Sequence, residues 1–236
     1  MICSESKELF KKINIEITDE QFNKFSLYEN LLLEWNERIN LTAITEDKEI
    51  WIKHFIDSCV INQYIKDSSK VIDVGTGAGF PGIPIKIIND SVELTLLDSL
   101  NKRISFLTTI CNSLDLKNIY AIHSRAEDCA NNIKYRETFD VATARAVSNL
   151  ATLSEYCIPF VKVGGYFIAM KSGNIDDEIK EAQNSISILG GEVEDVIKYD
   201  LLDLGISRSI VLIKKVKKTP SKYPRKAGMP LKEPIK

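Results

Sequence analysis

Apolar residues fall into distinct regimes along the chain. Phe22, Phe25, Tyr28, Leu32, Trp35 and Ile39 recur at steps of three and four, the spacing of one helical face. Thr18 and Asp19 offer its N-cap. A second helix is predicted over 47–65, with Ile50, Trp51, Phe55 and Cys59 among its apolar positions. Asn40, Leu41, Thr42 and Ala43 form the loop between the two. The aromatic stripe on the first helix reads as packing rather than as a platform for stacked bases.

From residue 70 to 214 short apolar runs alternate with helical patterns. Val71, Ile72 and Val74 make a β-branched run of the kind found in a buried parallel strand. Further strands are predicted at 92–97, 118–123, 139–143, 166–170, 192–199 and 208–214, with helices at 100–113, 148–157 and 176–189. Gly190 and Gly191 end the last helix. Strands joined by helices imply a parallel sheet with right-handed crossovers. The final two strands are joined too tightly for a crossover, so the last should run antiparallel. The expected fold class is α/β: a seven-stranded, mostly parallel sheet with an antiparallel last strand. It divides into an N-terminal helical extension (1–69), the α/β domain (70–214) and a basic C-terminal segment (215–236).

Composition narrows the setting. A chain of 236 residues suits one α/β domain with an appendage, and 44% hydrophobic with 27% charged residues is ordinary for a globular protein. No apolar run reaches the length of a membrane span, and the first residues lack a signal-peptide pattern. Cys3, Cys59, Cys111, Cys129 and Cys157 are odd in number and scattered, which predicts a reduced, cytoplasmic protein without a disulfide frame. No metal site is expected, and His54 and His123 do not read as a ligand pair. The net charge of −2 hides an asymmetry. From Lys214 onward nine basic residues face the single acid Glu233, so this end carries +8 and the rest −10. Such a run serves either as a footprint for a polyanion or as a solvated tail. As a footprint, its contacts with the polyanion would come from Lys222, Arg225 and Lys226.

The chemistry concentrates at 71–98. Gly75, Gly77 and Gly79 follow the first strand at every second position, the second strand delivers Asp98, and Asp73 sits inside the first strand. A carboxylate at the end of the second strand can accept both hydroxyls of a ribose. Asp73 would repel a pyrophosphate but suits a cofactor bearing an ammonium and a sulfonium. The segment therefore resembles the S-adenosylmethionine site of Rossmann-like class I methyltransferases, with Asp73, Gly75, Gly77, Gly79 and Asp98 as its cofactor-binding residues.

The likeness extends from end to end. Trp35-Asn36 with Asn40-Leu41-Thr42, His54-Phe55 with Asp57-Ser58, Asp73 through Pro84 and Leu97-Asp98-Ser99 with Lys102-Arg103 match one family. So do Arg125-Ala126-Glu127, Thr143-Ala144-Arg145-Ala146-Val147 and Tyr223-Pro224-Arg225-Lys226-Ala227-Gly228. The chain resembles the bacterial small-subunit ribosomal RNA guanine-N7 methyltransferases, once called glucose-inhibited division protein B. Cys59 replaces a usual leucine, and Ser172 a common glycine. The resemblance implies that Gly75 and Phe80 line S-adenosyl-L-methionine, that Ala126 and Glu127 contact its adenine, and that Arg145 closes the site as the catalytic residue. An arginine there can hold the cofactor carboxylate, an RNA phosphate or guanine O6/N7. The implied partner is 16S ribosomal RNA or the small ribosomal subunit, and the protein is expected to act as a monomer.

Absent residues agree with guanine N7. Methylation of an exocyclic amine needs an acceptor motif after the fourth strand, where Arg145 stands. A pyrimidine C5 methyltransferase needs a nucleophilic cysteine there, and a ribose methyltransferase a lysine relay. Guanine N7 carries a free lone pair and needs only alignment and electrostatic orientation. A small-molecule methyltransferase is the alternative, and a non-catalytic RNA-binding protein with a relict cofactor fold is a third reading. The basic end disfavours the former, and the intact Asp73, Asp98 and glycines disfavour the latter.

Overall fold

The computed structural model describes residues 3–145 and 148–235. Ala146 and Val147, which complete the matching segment after Arg145, lie outside the described residues, as do Met1, Ile2 and Lys236.

Helices α1 (Cys3–Lys11) and α2 (Asp19–Ile39) open the chain. Thr18 caps α2 through a reciprocal pair with Gln21, and Asn40 ends it in the left-handed region. The apolar stripe of α2 buries Phe25, Tyr28 and Leu32. Helix α1 was not foreseen from the sequence. The predicted second helix is not one continuous element. It runs as α3 (Asp47–Ile50), a π-helical stretch (Trp51–Ile56), α4 (Asp57–Cys59) and a 3₁₀ turn (Val60–Tyr64). Wider π-turns of this kind are rare and often mark functional sites.

The sheet then builds in alternation: β1 (Lys70–Val74), α5 (Gly82–Ile88), β2 (Glu93–Asp98), α6 (Asn101–Ser113), β3 (Ile119–His123), α7 (Ala126–Asn131) and β4 (Phe139–Arg145). It continues with α8 (Leu150–Cys157), β5 (Val161–Ser172), α9 (Asp176–Leu189), β6 (Gly191–Asp200), β7 (Ser207–Lys215) and α10 (Met229–Lys232). The strand order is β3-β2-β1-β4-β5-β7-β6. Strands β1 to β5 pair in parallel, and β7 runs antiparallel to both β5 and β6. This is the expected sheet with its reversed last strand.

Alternate residues along the strands feed two cores. Val71, Leu94, Leu96, Val141 and Ile168 face α1, α2, the π-helical stretch, α5 and α6. Ile72, Leu97, Ala142, Phe167 and Val211 face α8 and α9. The N-terminal helices thus share one core with the sheet instead of forming a core of their own. Among the described residues no helix is long and apolar enough to cross a membrane.

The order of strands reverses at β1, between β2 and β4. In open α/β sheets ligands bind at the carboxyl ends of the strands beside such a switch point. The fold therefore directs attention to Gly75, Asp98, Arg125 and Arg145, which end or follow β1, β2, β3 and β4.

Candidate active site

Two clefts open along this edge. The first lies over the ends of β1, β2 and β3, and Gly75, Asp98, Ser99, Ser124, Ala126, Glu127, Leu153 and Tyr156 line it. The second lies over the ends of β4 and β5 and the start of β7. Its lining includes Lys53, His54, Asp57, Arg145, Lys171, Ser172, Tyr199 and Arg208. Of the residues singled out for cofactor binding, Gly75, Asp98, Ala126 and Glu127 come together in the first cleft, whereas Arg145 stands in the second.

The glycine turn is organised by two buried carboxylates. Gly77, at φ +61°, directs its N–H to Asp98 Oδ2 (2.9 Å), a conformation costly for a residue with a Cβ. Asp98 also accepts from Leu100 N–H at 2.9 Å and from Arg103 at 3.3 Å. Asp73 Oδ2 accepts from Thr76 Oγ1 (2.6 Å) and from Gly82 N–H (2.9 Å). A Cβ on Gly82 would stand only 2.9 Å from that oxygen, so the close approach of α5 to Asp73 requires glycine. Asp73 Oδ1 is buried with no hydrogen-bond partner. Burial pushes the Asp73 carboxyl up to about 6, against the pull of Thr76 and Gly82. An unpaired acceptor of this kind calls for a donor that the fold does not supply. An ammonium group fits that need, and the carboxylate of Asp98 fits a ribose.

Phe80 differs from expectation. Its ring does not line the first cleft. It stacks on His54 with centroids 4.5 Å apart and on Tyr28 at 5.5 Å, and the Arg145 guanidinium lies over it at 4.9 Å. Tyr28 also donates to Ala78 O, so the aromatic stripe of α2 buttresses the glycine turn.

Arg145 is held on several sides. It donates to Lys53 O (2.9 Å) and to His54 Nδ1 (3.1 Å), and it lies 3.6 Å from Asp57 Oδ2. Arginine has no acceptor, so His54 Nδ1 must be unprotonated and Nε2 carries the proton. That proton is donated to Thr42 Oγ1 (2.8 Å), which also accepts from Ile44 N–H. Asn36 Oδ1 fixes the loop by accepting from Leu41 and Thr42 N–H. Burial, with the charge of Arg145 second, pulls the His54 imidazole down to about 3. It is neutral at physiological pH and committed at both nitrogens. Asp57 in turn accepts from Arg208 Nε (3.1 Å) and Tyr199 Oη (3.3 Å).

His54, Asp57 and Arg208 thus line the second cleft, with Thr42 bonded to His54, and the sequence alone assigned none of the four. His54, Asp57 and Thr42 lie in the segments that matched the family, which was the available signal. Arg208 had none. Ser172, the departure from the common glycine, lines the second cleft and not the first, whereas Cys59 is buried in the core.

The basic end divides into two groups. Lys222 and Lys226 are exposed. Arg225 is bound to Glu155, with Nη2 to Oε2 at 2.6 Å and Nε to Oε1 at 2.9 Å, and Glu155 is 1% exposed. Glu127 likewise spends Oε1 on Gly228 N–H (2.7 Å). Among the described residues no group of His, Cys, Asp and Glu is arranged to hold a metal ion.

The family model for rRNA small subunit methyltransferase G matches residues 21–210. The chain belongs to that family. Its sequence is 54% identical over 226 residues to ribosomal RNA small subunit methyltransferase G of Clostridium botulinum (strain ATCC 19397), covering 95% of each chain. It is also 54% identical over 232 residues to the protein of that name from Alkaliphilus oremlandii, covering 98% of this chain and 97% of the other. Among solved structures, a SAM dependent methyltransferase of Aquifex aeolicus superposes with TM-score 0.52 and 18% identity. The match covers 71% of this chain and 93% of that one. TYW2 of M. jannaschii in complex with AdoMet gives TM-score 0.54 at 13% identity, over 69% of this chain and 76% of the other. At these identities the structures establish the fold, which is that of the class I methyltransferases.

Proposed function

We propose that this family member methylates N7 of a guanine in 16S ribosomal RNA, with S-adenosyl-L-methionine as methyl donor. The observation that carries the reading is the pairing of the two clefts. One offers a ribose carboxylate beside a glycine turn backed by an unpaired buried carboxylate oxygen. The other offers guanidinium groups and no poised base. Asp98 would hold the ribose, Asp73 the ammonium, and the walls at Ala126, Glu127, Leu153 and Tyr156 the adenine. When bound, S-adenosylmethionine supplies an electrophilic methyl group, which N7 takes with a ring lone pair that carries no proton.

The residues of the second cleft orient the base. His54 is neutral with both nitrogens engaged, and Asp57 serves two arginines, so neither is free to take a proton. N7 requires none. Arg145 cannot pair with both O6 and N7 of the reacting guanine, because N7 must keep its lone pair for the new bond. That leaves it the cofactor carboxylate, O6 or a phosphate, from a planar guanidinium set over Phe80. Lys222 and Lys226 lie exposed where RNA phosphates can reach them. Arg225, committed to Glu155, contributes by holding the segment that carries them. An enzyme acting on ribosomal RNA inside the cell is cytoplasmic.

Mapping 7-methylguanine in ribosomal RNA from cells with and without the gene tests the proposal. Loss of one 7-methylguanine from 16S RNA is expected. An unchanged modification map would reject it.

A further inference from the structure

The last part of the chain is fastened to the two helices that form the outer wall of the first cleft. Ala126 and Glu127 of α7 and Leu153 and Tyr156 of α8 face that cleft. Residues 219–230 cross behind them as a strap. Its first anchor is Arg136, which donates to Thr219 O (2.9 Å) and Tyr223 O (2.8 Å). The second is Glu155 of α8, which accepts from Arg225 N–H (2.7 Å) as well as from its guanidinium. The third is Thr152 of α8, which donates to Pro230 O at 3.1 Å. The fourth is Glu127, a lining residue of the cleft, whose Oε1 accepts from Gly228 N–H.

The strap has two sides. Tyr223 and Pro224 are buried against the core below α8, while Lys222 and Lys226 face solvent. Helix α7 is a short element of six residues with no side-chain cap at its start. Isolated helices of that length are unstable, so α7 depends on its tertiary contacts for its position. The Glu127–Gly228 bond is one of these, and it ends on a residue of the cleft itself.

We propose that residues 219–230 position the adenine end of the cofactor cleft, with Arg225 and Gly228 as positioning residues. The inference rests on reading the first cleft as the adenosyl site. Docking the strap sets the spacing of α7 and α8, and filling the cleft holds the same two helices. Each event then favours the other, and the coupling must be reciprocal. The basic segment is accordingly part of the cofactor site as well as the carrier of Lys222 and Lys226.

Two measurements with S-adenosylhomocysteine as probe test this. In the first, amide hydrogen exchange of the natural chain is followed with and without saturating S-adenosylhomocysteine. Exchange within 219–230 should slow severalfold, although no residue of the strap lines the cleft. In the second, calorimetry gives the dissociation constant for Arg225→Ala and Arg225→Lys, well below the melting temperature of each. A tenfold or greater weakening in Arg225→Ala, with partial recovery in Arg225→Lys, is expected. A purely structural role would lower the melting temperature and leave the dissociation constant of the folded protein unchanged. Unchanged exchange in the strap, or an unchanged constant in folded Arg225→Ala, overturns the proposal. If Arg225→Ala does not fold, the exchange experiment decides alone. If the natural chain fails to bind S-adenosylhomocysteine, the adenosyl reading of the cleft falls, and this proposal with it.

Discussion

Arg145 donates a hydrogen bond to Nδ1 of His54 at 3.1 Å, and this contact fixes both the tautomer and the charge of the imidazole. With Nε2 on Thr42, the histidine becomes a strut between the N-terminal loop and the end of β4. The stack on Phe80 locks its plane. His54 is placed to hold Arg145, and neither ring nitrogen is free to move a proton.

Removal of that strut should cost turnover and leave cofactor binding largely intact. His54→Ala is expected to slow methyl transfer by about a hundredfold through misplacement of Arg145. His54→Asn, whose amide oxygen can accept from Arg145, should recover part of the loss. Single-turnover rates alongside S-adenosylhomocysteine titrations separate the two effects. A general base at His54 would instead give no recovery in His54→Asn.

The same residue predicts an acid sensitivity. Its folded value of about 3 lies below the ordinary value of 6.5, so the unfolded chain binds the proton more tightly. The stability contributed by neutral His54 is therefore complete above about pH 6.5 and is lost as pH falls toward 3. Denaturant unfolding at several pH values should show the natural chain losing stability relative to His54→Asn across that window.

Asp73 predicts the pH dependence of cofactor binding. Its carboxyl, raised to about 6, must be ionised to pair with an ammonium. Affinity for S-adenosylhomocysteine should be flat above about pH 7 and fall as pH drops through 6. Asp73→Asn keeps the acceptor for Thr76 and Gly82 but loses the charge. It should weaken binding by about 1.5–3 kcal/mol and remove the pH dependence. Asp98→Ala should weaken S-adenosylmethionine and S-adenosylhomocysteine alike by about 2–3 kcal/mol, as charge-assisted bonds to the ribose are lost. Calorimetric titration measures all three.

The basic end predicts a division of labour. Lys222→Ala with Lys226→Ala should weaken RNA binding and reduce the slope of log affinity against log salt by about 0.7–0.9 per lost phosphate contact. Arg225→Ala should instead lower stability by about 3 kcal/mol, because it strands the buried Glu155 carboxylate. Salt-dependent RNA titrations and thermal melts distinguish the two sets.

Where the sequence carried a strong local signal, the structure followed it. The β-branched run at 71–74 and the matching runs after it sufficed for the sheet, because a buried parallel strand tolerates little else. The capped stripe of α2 was equally legible. The π-helical stretch was not, because Ile50, Trp51 and Phe55 suit an α-helix and a π-helix almost equally. Helix α7 is too short to show a period. The glycines and the acids at 73 and 98 stand out in the sequence, since few structural needs place them together. Phe80 and Arg225 could not be placed. An aromatic ring or an arginine is satisfied by many partners, and only the fold shows that these chose His54 and Glu155.

The most direct test is to incubate the purified protein with small ribosomal subunits and methyl-labelled S-adenosylmethionine, then to digest the RNA and identify the labelled nucleoside by mass spectrometry. Label confined to 7-methylguanosine from one position of 16S RNA, and abolished in Arg145→Lys, is the predicted result. Label in a ribose 2′-O-methyl or an exocyclic N-methyl nucleoside, or no label in RNA at all, would contradict it.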